Sequence, residues 1–462
     1  MNSNNEFYEI VVAGGGLAGT FAAVTAARMG KKVLLLDSGS CLGGTLTCCG
    51  VGPMMTGHSR DRQVIGGLFE ELTERLKRNG YSCGHVRDTT GYISYLTPFS
   101  AEGMKLVLDE MTEEAGCETF FHVSVVGAEK CQGKISRVLV SGPEGLFWVN
   151  ADIFIDATGD GDLAYYAGAP MKKGRESDGK SQPMTMNAKY CNVDRDQLLD
   201  YILKNIEKFP RLYGKEQLLR ESGHLSIAGF SEEMKMAREK GILHFKREEL
   251  LMFETDRKGE FIVNTTRITE LDGTTVRGLS QAERVGRIQC NELDYFLKKY
   301  VPGFKDAVLE YTGPSVGIRG SRQLEGIYTL TAEDIIKGTQ FETRIALAAY
   351  PIDVHNPDGQ GTKSIFKMGE QGYYSIPYEV MICREISNLL VTGRCISASF
   401  EAQAAIRTTP TTSALGQAAG MAAAMVLQDS EKVKDVNGID RKELQYKLKT
   451  RGVMLLYLFP QQ

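Results

Sequence analysis

Apolar and polar positions divide the chain into a readable beginning, a mixed middle and a readable end. Tyr8 to Ala13 is a short apolar run and predicts a strand. The glycine-rich Gly14-Gly15-Gly16-Leu17-Ala18-Gly19 follows, then an Ala-rich stretch from Thr20 to Met29 that predicts a helix, then a second strand from Lys32 to Leu36 that ends at Asp37. Together these make a βαβ unit of the expected size. Further along, Met104, Val107, Leu108 and Met111 recur at helical spacing within Ala101 to Ala115, and Gly116 separates them from a strand over Thr119 to Val126. Another strand, Asp152 to Ala157, runs into Thr158-Gly159-Asp160-Gly161-Asp162.

Between about Pro170 and Gly372 the pattern changes to mixed polar helices and short strands with charged loops, which reads as an inserted substrate or cap domain. Asn388 to Thr392 is again a short apolar strand, and Thr412 to Leu427 is an Ala/Gly-rich helix that begins after Pro410, whose ring discourages helix upstream. The implied division is a first part over 1–169, the insertion over 170–375, a return segment over 376–430 and a tail over 431–462 that packs on the core.

Composition narrows what such a chain can do. With 462 residues, 42% hydrophobic and 24% charged, it can bury a large core. Glycine fills 50 positions, above the roughly 7% usual in soluble chains, which points to tight turns and close main-chain approach. The net charge of −4 and the lack of Lys/Arg blocks argue against nucleic acid as a partner. Ten cysteines without CxxC spacing fit reduced thiols better than a disulfide framework. Met1 to Glu9 is polar and lacks a basic start, no apolar run approaches the ~18 residues of a membrane span, and the C-terminal Val453 to Phe459 is short enough for a buried element. The expected location is cytoplasmic, away from membranes.

The chemistry begins at Gly14-x-Gly16-x-x-Gly19. The first glycine permits the turn, the second lets the backbone approach a pyrophosphate, and the third lets helix and strand pack closely. The helix start supplies free N–H groups to phosphates. Asp37, 18 residues past Gly19 at the end of the second strand, is placed to accept hydrogen bonds from a ribose. This unit binds an adenine dinucleotide, and by itself it does not separate NAD from FAD.

Two further segments do so by likeness. Leu42-Gly43-Gly44-Thr45 and Ile155-Asp156-Ala157-Thr158-Gly159-Asp160 resemble the flavin-contacting segments of the glutathione-reductase-like FAD superfamily. More closely, the chain resembles the FAD-dependent oxidoreductase family through Pro302-Gly303-Phe304, Gly317-Ile318-Arg319-Gly320-Ser321-Arg322, Leu390-Val391-Thr392-Gly393-Arg394-Cys395-Ile396-Ser397, Arg407 and Leu415-Gly416-Gln417-Ala418-Ala419-Gly420. The resemblance covers nearly the whole chain. It implies an α/β fold, a three-layer Rossmann-like FAD/NAD(P)-binding domain with an inserted mixed α+β substrate domain, and FAD as cofactor. It also implies that Gly14, Gly16, Leu17, Ala18, Gly19, Asp37 and Ser38 hold the ADP half, that Gly44 and Thr45 lie near pyrophosphate or flavin, and that Val125 touches adenine. Ala157, Thr158 and Gly159 would pass close to the cofactor, and Gly393 and Arg394 would flank the ribityl chain. Ser413, Ala414, Leu415 and Gly416 would open the last helix beneath the pyrimidine ring, where N–H groups stabilise the charge a reduced flavin gathers.

Departures from that pattern matter too. Disulfide reductases of the superfamily place Cys-x4-Cys just after the Gly-Gly-Thr segment, and the corresponding residues here are Leu46 and Val51, which disfavours a dithiol mechanism. Cys48 and Cys49 are adjacent and read as small lining or core residues. No second GxGxxG occurs, so the flavin is reduced by its own substrate, a partner protein or a visiting nicotinamide. No iron–sulfur run is present, and a Ca²⁺ loop from Asp156 fails because its twelfth position is Ala167, so no metal is expected.

Candidate reacting groups are Arg319, Arg322, Arg344, His355, Tyr373, Tyr374 and Arg407. Flavin dehydrogenation needs a base while the hydride leaves to N5, and imidazole is best matched to neutral pH. His355, in Asp353-Val354-His355-Asn356-Pro357, is the leading choice, the alternative for it being a solvated turn or a packing residue; His58, His85, His122, His224 and His244 have weaker claims. Arg319 and Arg322 are three apart and, if helical, would share a face able to clamp a carboxylate or phosphate; a structural salt bridge explains them equally well. Arg407 precedes the flavin-facing helix. The expected activity is hydride transfer between a small organic substrate and flavin, with O₂, a quinone or a protein as electron acceptor. The rivals are a fumarate-reductase-like double-bond reductase and a non-catalytic electron-transfer subunit.

Overall fold

The computed structural model describes residues 7–359, 361–428 and 435–456; the beginning of the polar N-terminal stretch, the start of the tail and the last part of the Val453–Phe459 run lie outside them. Strand β1 (Phe7–Ala13) and helix α1 (Leu17–Ala27) lead to β2 (Val33–Leu36), and helix α2 (Ala101–Glu114) leads to β3 (Glu118–Phe120), β4 (Ser124–Cys131), β5 (Lys134–Gly142) and β6 (Gly145–Asp156). β3, β2, β1 and β6 pair in that order and in parallel, whereas β4 and β5 continue the sheet from the first half of β6 as an antiparallel ribbon. Side chains alternate across a strand, so β1 feeds two cores: Ile10 and Val12 enter one with α1 and α2, Val11 and Ala13 enter the other with Leu34, Leu36 and Val138. Burial on both faces is why β1 reads as a continuous apolar run.

Two boundaries differ from the sequence reading. α1 starts at Leu17 rather than Thr20, because the glycine loop already supplies its first carbonyl, with Thr20 N–H donating to Gly16 O at 2.9 Å. The strand expected over Thr119–Val126 is split. At His122 φ is +58°, and the chain turns to bond the loop after β2, with His122 N–H donating to Gly39 O and Val123 N–H to Asp37 O.

The middle of the chain has its own core, formed by residues between Met184 and Val316. Strands β7 (Ala188–Cys191), β8 (Ser226–Gly229), β9 (Leu250–Glu254), β10 (Phe261–Val263) and β11 (Val308–Thr312) form an antiparallel sheet in the order β8-β9-β10-β7-β11. Packed with them is α3 (Val276–Tyr300), whose Ala282, Gly286, Cys290, Leu293 and Leu297 are buried at helical spacing while Val276 and Ile288 face solvent. Thr275 caps its start by accepting from the Gly278 N–H.

The chain then returns to the first sheet. β12 (Leu389–Val391) pairs in parallel with the second half of β6, and α4 (Thr409–Gln428) packs along α1. That contact is close: a Cβ on Gly416 would lie 2.0 Å from Ala18 O, and one on Gly420 would lie 2.1 Å from Ala22 O. α4 begins at Thr409, before Pro410 rather than after it, since a proline in the first turn lacks only an N–H that would have no partner there anyway.

Candidate functional site

Four parallel strands end at one place, and the residues that follow each of them line a single cavity of about 650 Å³. Gly14 follows β1, Asp37 follows β2, Ala157 to Asp160 follow β6, and Gly393 and Arg394 follow β12. Carboxyl ends of parallel strands are the standard location for ligands in such sheets.

Near β1 the wall is main chain. Gly14 has φ of +101°, and a Cβ there would lie 2.5 Å from Ala157 O. Gly19 does not line the cavity; it sits beneath the loop, where a Cβ would lie 1.7 Å from Gly14 O. Gly16 bridges Gly43, and a Cβ on Gly44 would stand 2.9 Å from Gly16 Cα, so two glycine segments cross without side chains between them. Leu17, Ala18, Ser38, Thr45 and Val125 complete this end. The Asp37 carboxylate faces the cavity and also ties the loop together, accepting from the Gly15 N–H at 2.5 Å and the Gly39 N–H at 2.6 Å. Burial pushes its pKa above the usual value, and those two amides work against the shift. A floor that any Cβ would fill, with an acid at the second strand, fits the ADP half of a dinucleotide.

Ala157, Thr158, Gly159, Gly393 and Arg394 form the middle of the wall. The acidic loop here is internally satisfied. Asp156 accepts from Thr158 N–H at 3.0 Å and Ala164 N–H at 2.8 Å, Asp160 pairs with Arg394 at 2.7 Å and with Ser321, and Asp162 pairs with Arg322. Cys48 also lines the cavity, with its Sγ 3.8 Å from that of Cys41. Burial, with the Cys41 thiol alongside, pushes Cys48 up to about 11.

The far end is charged. Arg319, Arg407 and Tyr350 line it, beside Thr185 and Asn264 from the middle sheet. Arg319 and Arg322 do not share a helical face: Arg319 lies in a loop and donates to Pro183 O at 2.6 Å, while Arg322 opens a short strand and turns toward Asp162. Ser413, Ala414, Leu415 and Gly416 lie one turn deeper than expected. Because α4 starts early, Thr408, Thr409 and Thr412 reach the cavity in their place. Arg344, Tyr373 and Tyr374 do not line it; the Tyr374 hydroxyl donates to Tyr350 O at 3.4 Å.

His355 is buried, not solvated, and sits behind the wall on the short strand Ile352–His355. Its Nε2 is 3.2 Å from Asp353 Oδ2 and its Nδ1 is 3.4 Å from Arg247 Nη1. A guanidinium only donates, so Nδ1 accepts and the ring proton resides on Nε2, shared with Asp353. Burial, reinforced by Arg319, holds the His355 pKa well below the ordinary value, and the ring is neutral at pH 7. Burial opposes ionisation of Asp353, but His355, Arg407 and the Tyr92 hydroxyl outweigh it and hold that carboxyl well below the usual range. Asp353 Oδ1 accepts from Tyr92 Oη at 2.7 Å, and Oδ2 accepts from Tyr350 Oη at 3.4 Å and stands 3.6 Å from Arg407 Nη2. The expected base therefore has both ring nitrogens engaged away from the cavity, and Tyr350, which carries no local sequence signal, stands at the wall.

A family model described as FAD dependent oxidoreductase matches residues 9–448. The mitochondrial dihydrolipoyl dehydrogenase of Dictyostelium discoideum is 29% identical over 133 residues, 29% of this chain and 24% of its own, so the chain spans about a quarter of that relative's length. A Methanosarcina barkeri protein named for its place in the nifH2 5′ region is 31% identical over 171 residues, 34% of this chain and 84% of its own. Among solved structures, a geranylgeranyl bacteriochlorophyll reductase-like protein from Thermoplasma acidophilum has a TM-score of 0.50 at 13% identity, covering 97% of this chain and 84% of that one. The flavin-dependent brominase Bmp2 has a TM-score of 0.50 at 12% identity, covering 96% and 83%. These two likenesses concern the fold. Among the described residues, no helix is long and apolar enough to cross a membrane, and no three His, Cys, Asp or Glu converge as a metal site.

Proposed function

The chain belongs to the FAD-dependent oxidoreductase family, with FAD as cofactor, and on that premise we propose that it transfers a hydride between a small organic substrate and the flavin N5. The observation that carries this reading is the continuity of one cavity from the glycine loop to the residues Arg319, Tyr350 and Arg407, with walls from both the first sheet and the middle domain. Apolar clefts between such units bind small molecules and exclude water. Gly14, Gly16 and Asp37 hold the adenosine and pyrophosphate, and the Thr158 to Gly159 and Gly393 to Arg394 turns hold the linker. Arg319 and Arg407 orient the substrate.

In the direction that reduces the substrate, Tyr350 holds at its hydroxyl the proton that the substrate takes up. Burial, with Asp353 alongside, raises its pKa and keeps it a neutral phenol. Asp353 fixes the position of that hydroxyl, and His355 fixes Asp353 through its Nε2–H, so His355 acts as a positioning residue. Reoxidation passes to O₂, a quinone or a protein acceptor. A second reading, a double-bond reductase of the fumarate-reductase kind, is favoured by the presence of Arg319 and Arg407 at the same end of the cavity.

The test is an anaerobic metabolite screen that follows bleaching of the oxidised flavin band, run in both reaction directions and repeated with Arg319→Ala and His355→Ala. The reading expects one substrate class to bleach the band, Arg319→Ala to lose the response, and His355→Ala to slow it. Flavin reduced only by a co-purifying protein would replace the enzyme with an electron-transfer subunit.

A further inference from the structure

Four arginines from four separate segments come together at the far end of the cavity. Arg319 and Arg407 line it, and Arg247 and Arg267 stand behind, each within electrostatic reach of Arg319. Three of them are buried, with Arg247 at 8%, Arg267 at 3% and Arg319 at 9% exposure. Several of their donors have no protein partner: Arg247 Nε, Arg267 Nε, Arg267 Nη1 and Arg407 Nε are buried and unbonded. Arg267 Nη2 donates to Gly361 O at 2.8 Å, and Arg247 Nη1 reaches only the neutral ring of His355.

Charge compensation is incomplete. Asp353 is the carboxylate inside the cluster. Glu248, half exposed at the rim, comes no nearer than 3.8 Å to Arg267, and Glu249 is already engaged by Arg211 at 2.7 Å. Four guanidinium charges set against Asp353 and Glu248 leave two unanswered. Burial, then mutual repulsion, lowers the proton affinity of Arg319, and burial followed by Arg247 brings Arg267 to about 10. Arg267 therefore stays charged at neutral pH, and a guanidinium keeps its proton in proteins generally. Buried charge without a partner destabilises a fold unless something else supplies the partner. A structural salt-bridge network would close on itself, and this one does not.

We propose that the arginine end of the cavity binds a small organic anion carrying at least two negative charges, of the carboxylate or phosphate-ester class, as the substrate of the flavin site. The inference rests on the reading above, because it names the substrate class of that same site. Guanidinium forks match the paired oxygens of carboxylate and phosphoryl groups. A dianion on Arg319 and Arg407 would balance the two surplus charges that they share with Arg247 and Arg267 behind them, whereas a neutral alcohol or amine would leave both in place.

The experiment uses FAD-loaded protein, whose flavin band certifies the cofactor independently. Acetate, succinate, citrate and inorganic phosphate are titrated at constant ionic strength while the melting temperature and the flavin difference spectrum are followed. Succinate, citrate or phosphate is expected to saturate at a concentration at least tenfold below acetate, and which of them does so separates carboxylate from phosphoryl recognition. Arg247→Gln and Arg267→Gln are each expected to melt higher than the parent without anion and to lose the anion-induced shift. An acetate response equal to that of the polyanions would overturn the proposal. So would Gln variants that melt lower yet keep the full anion response, which is the behaviour of a structural network. Failure of the flavin reading shows separately, as anion binding by a protein that takes up no FAD.

Discussion

Around the end of β1 the cavity offers main chain: Gly14, Gly19 and Gly44 leave no room for a Cβ, and the one carboxylate, Asp37, is bonded to two amides. At the opposite end nearly everything is side chain, with Arg319, Arg407 and Tyr350 at the wall and Arg247, Asp353 and His355 behind them. The first end is fixed by steric exclusion and tolerates almost no substitution. The second is fixed by charge and hydrogen bonds that leave donors unused. Main chain suits a ligand that is always the same, because a peptide amide cannot be altered by mutation; side chains suit a ligand that distinguishes one enzyme from another. The two ends should therefore fail differently when altered.

The largest effect is expected at the glycine end. Gly19→Val places its Cβ against Gly14 O, 1.7 Å away, and should lose about 4 kcal/mol or more of stability together with the flavin. Denaturation and the visible spectrum check both. A Gly19→Val protein that keeps FAD would break the contrast. Arg319→Gln should keep its flavin yet lower kcat/KM by a hundredfold to a thousandfold, about 3–4 kcal/mol, once a substrate is in hand. Loss of flavin in that variant would mean the ends are not separable.

A pH effect of roughly 3 kcal/mol belongs to the middle domain. Burial, against a bond to Glu254 O and with Arg195 nearby, lowers His224 to about 4. Its folded pKa lies below the unfolded value of about 6.5, so its contribution is complete above pH 6.5 and is lost as pH falls toward 4. His224→Gln should flatten that part of the stability profile. The smallest effect is Asp37→Asn, expected to weaken FAD about tenfold, because its amide meets either Gly15 N–H or Gly39 N–H with a donor.

The same contrast explains what could be read from the residues alone. Gly14 to Gly19, Asp37 and the turns after β6 and β12 are consecutive stretches, each with a local reason for its composition, and all converge as their strand order requires. Boundaries went astray where tertiary contacts decide them, as at His122, where the chain bonds the Asp37 loop, and at Pro410, which the first turn of α4 accommodates. The arginine end had no such legibility. Arg247, Arg267 and the Tyr350 to Asp353 stretch belong to segments whose local patterns say nothing of one another, and the shared face that Arg319 and Arg322 would have in a helix is absent because a loop followed by a strand stands there. His355 was visible as a titratable residue, but which way its ring nitrogens face depends on Arg247, more than a hundred residues away.

The central claim is that one cavity joins a dinucleotide cradle to an arginine-lined reaction end. The most direct measurement is the FAD stoichiometry and visible spectrum of the reconstituted parent beside Arg319→Gln and Arg407→Gln. The account expects one FAD per chain in all three, with the flavin band displaced in both variants. A parent that takes up no FAD, or variants whose flavin band superimposes on that of the parent, would contradict it.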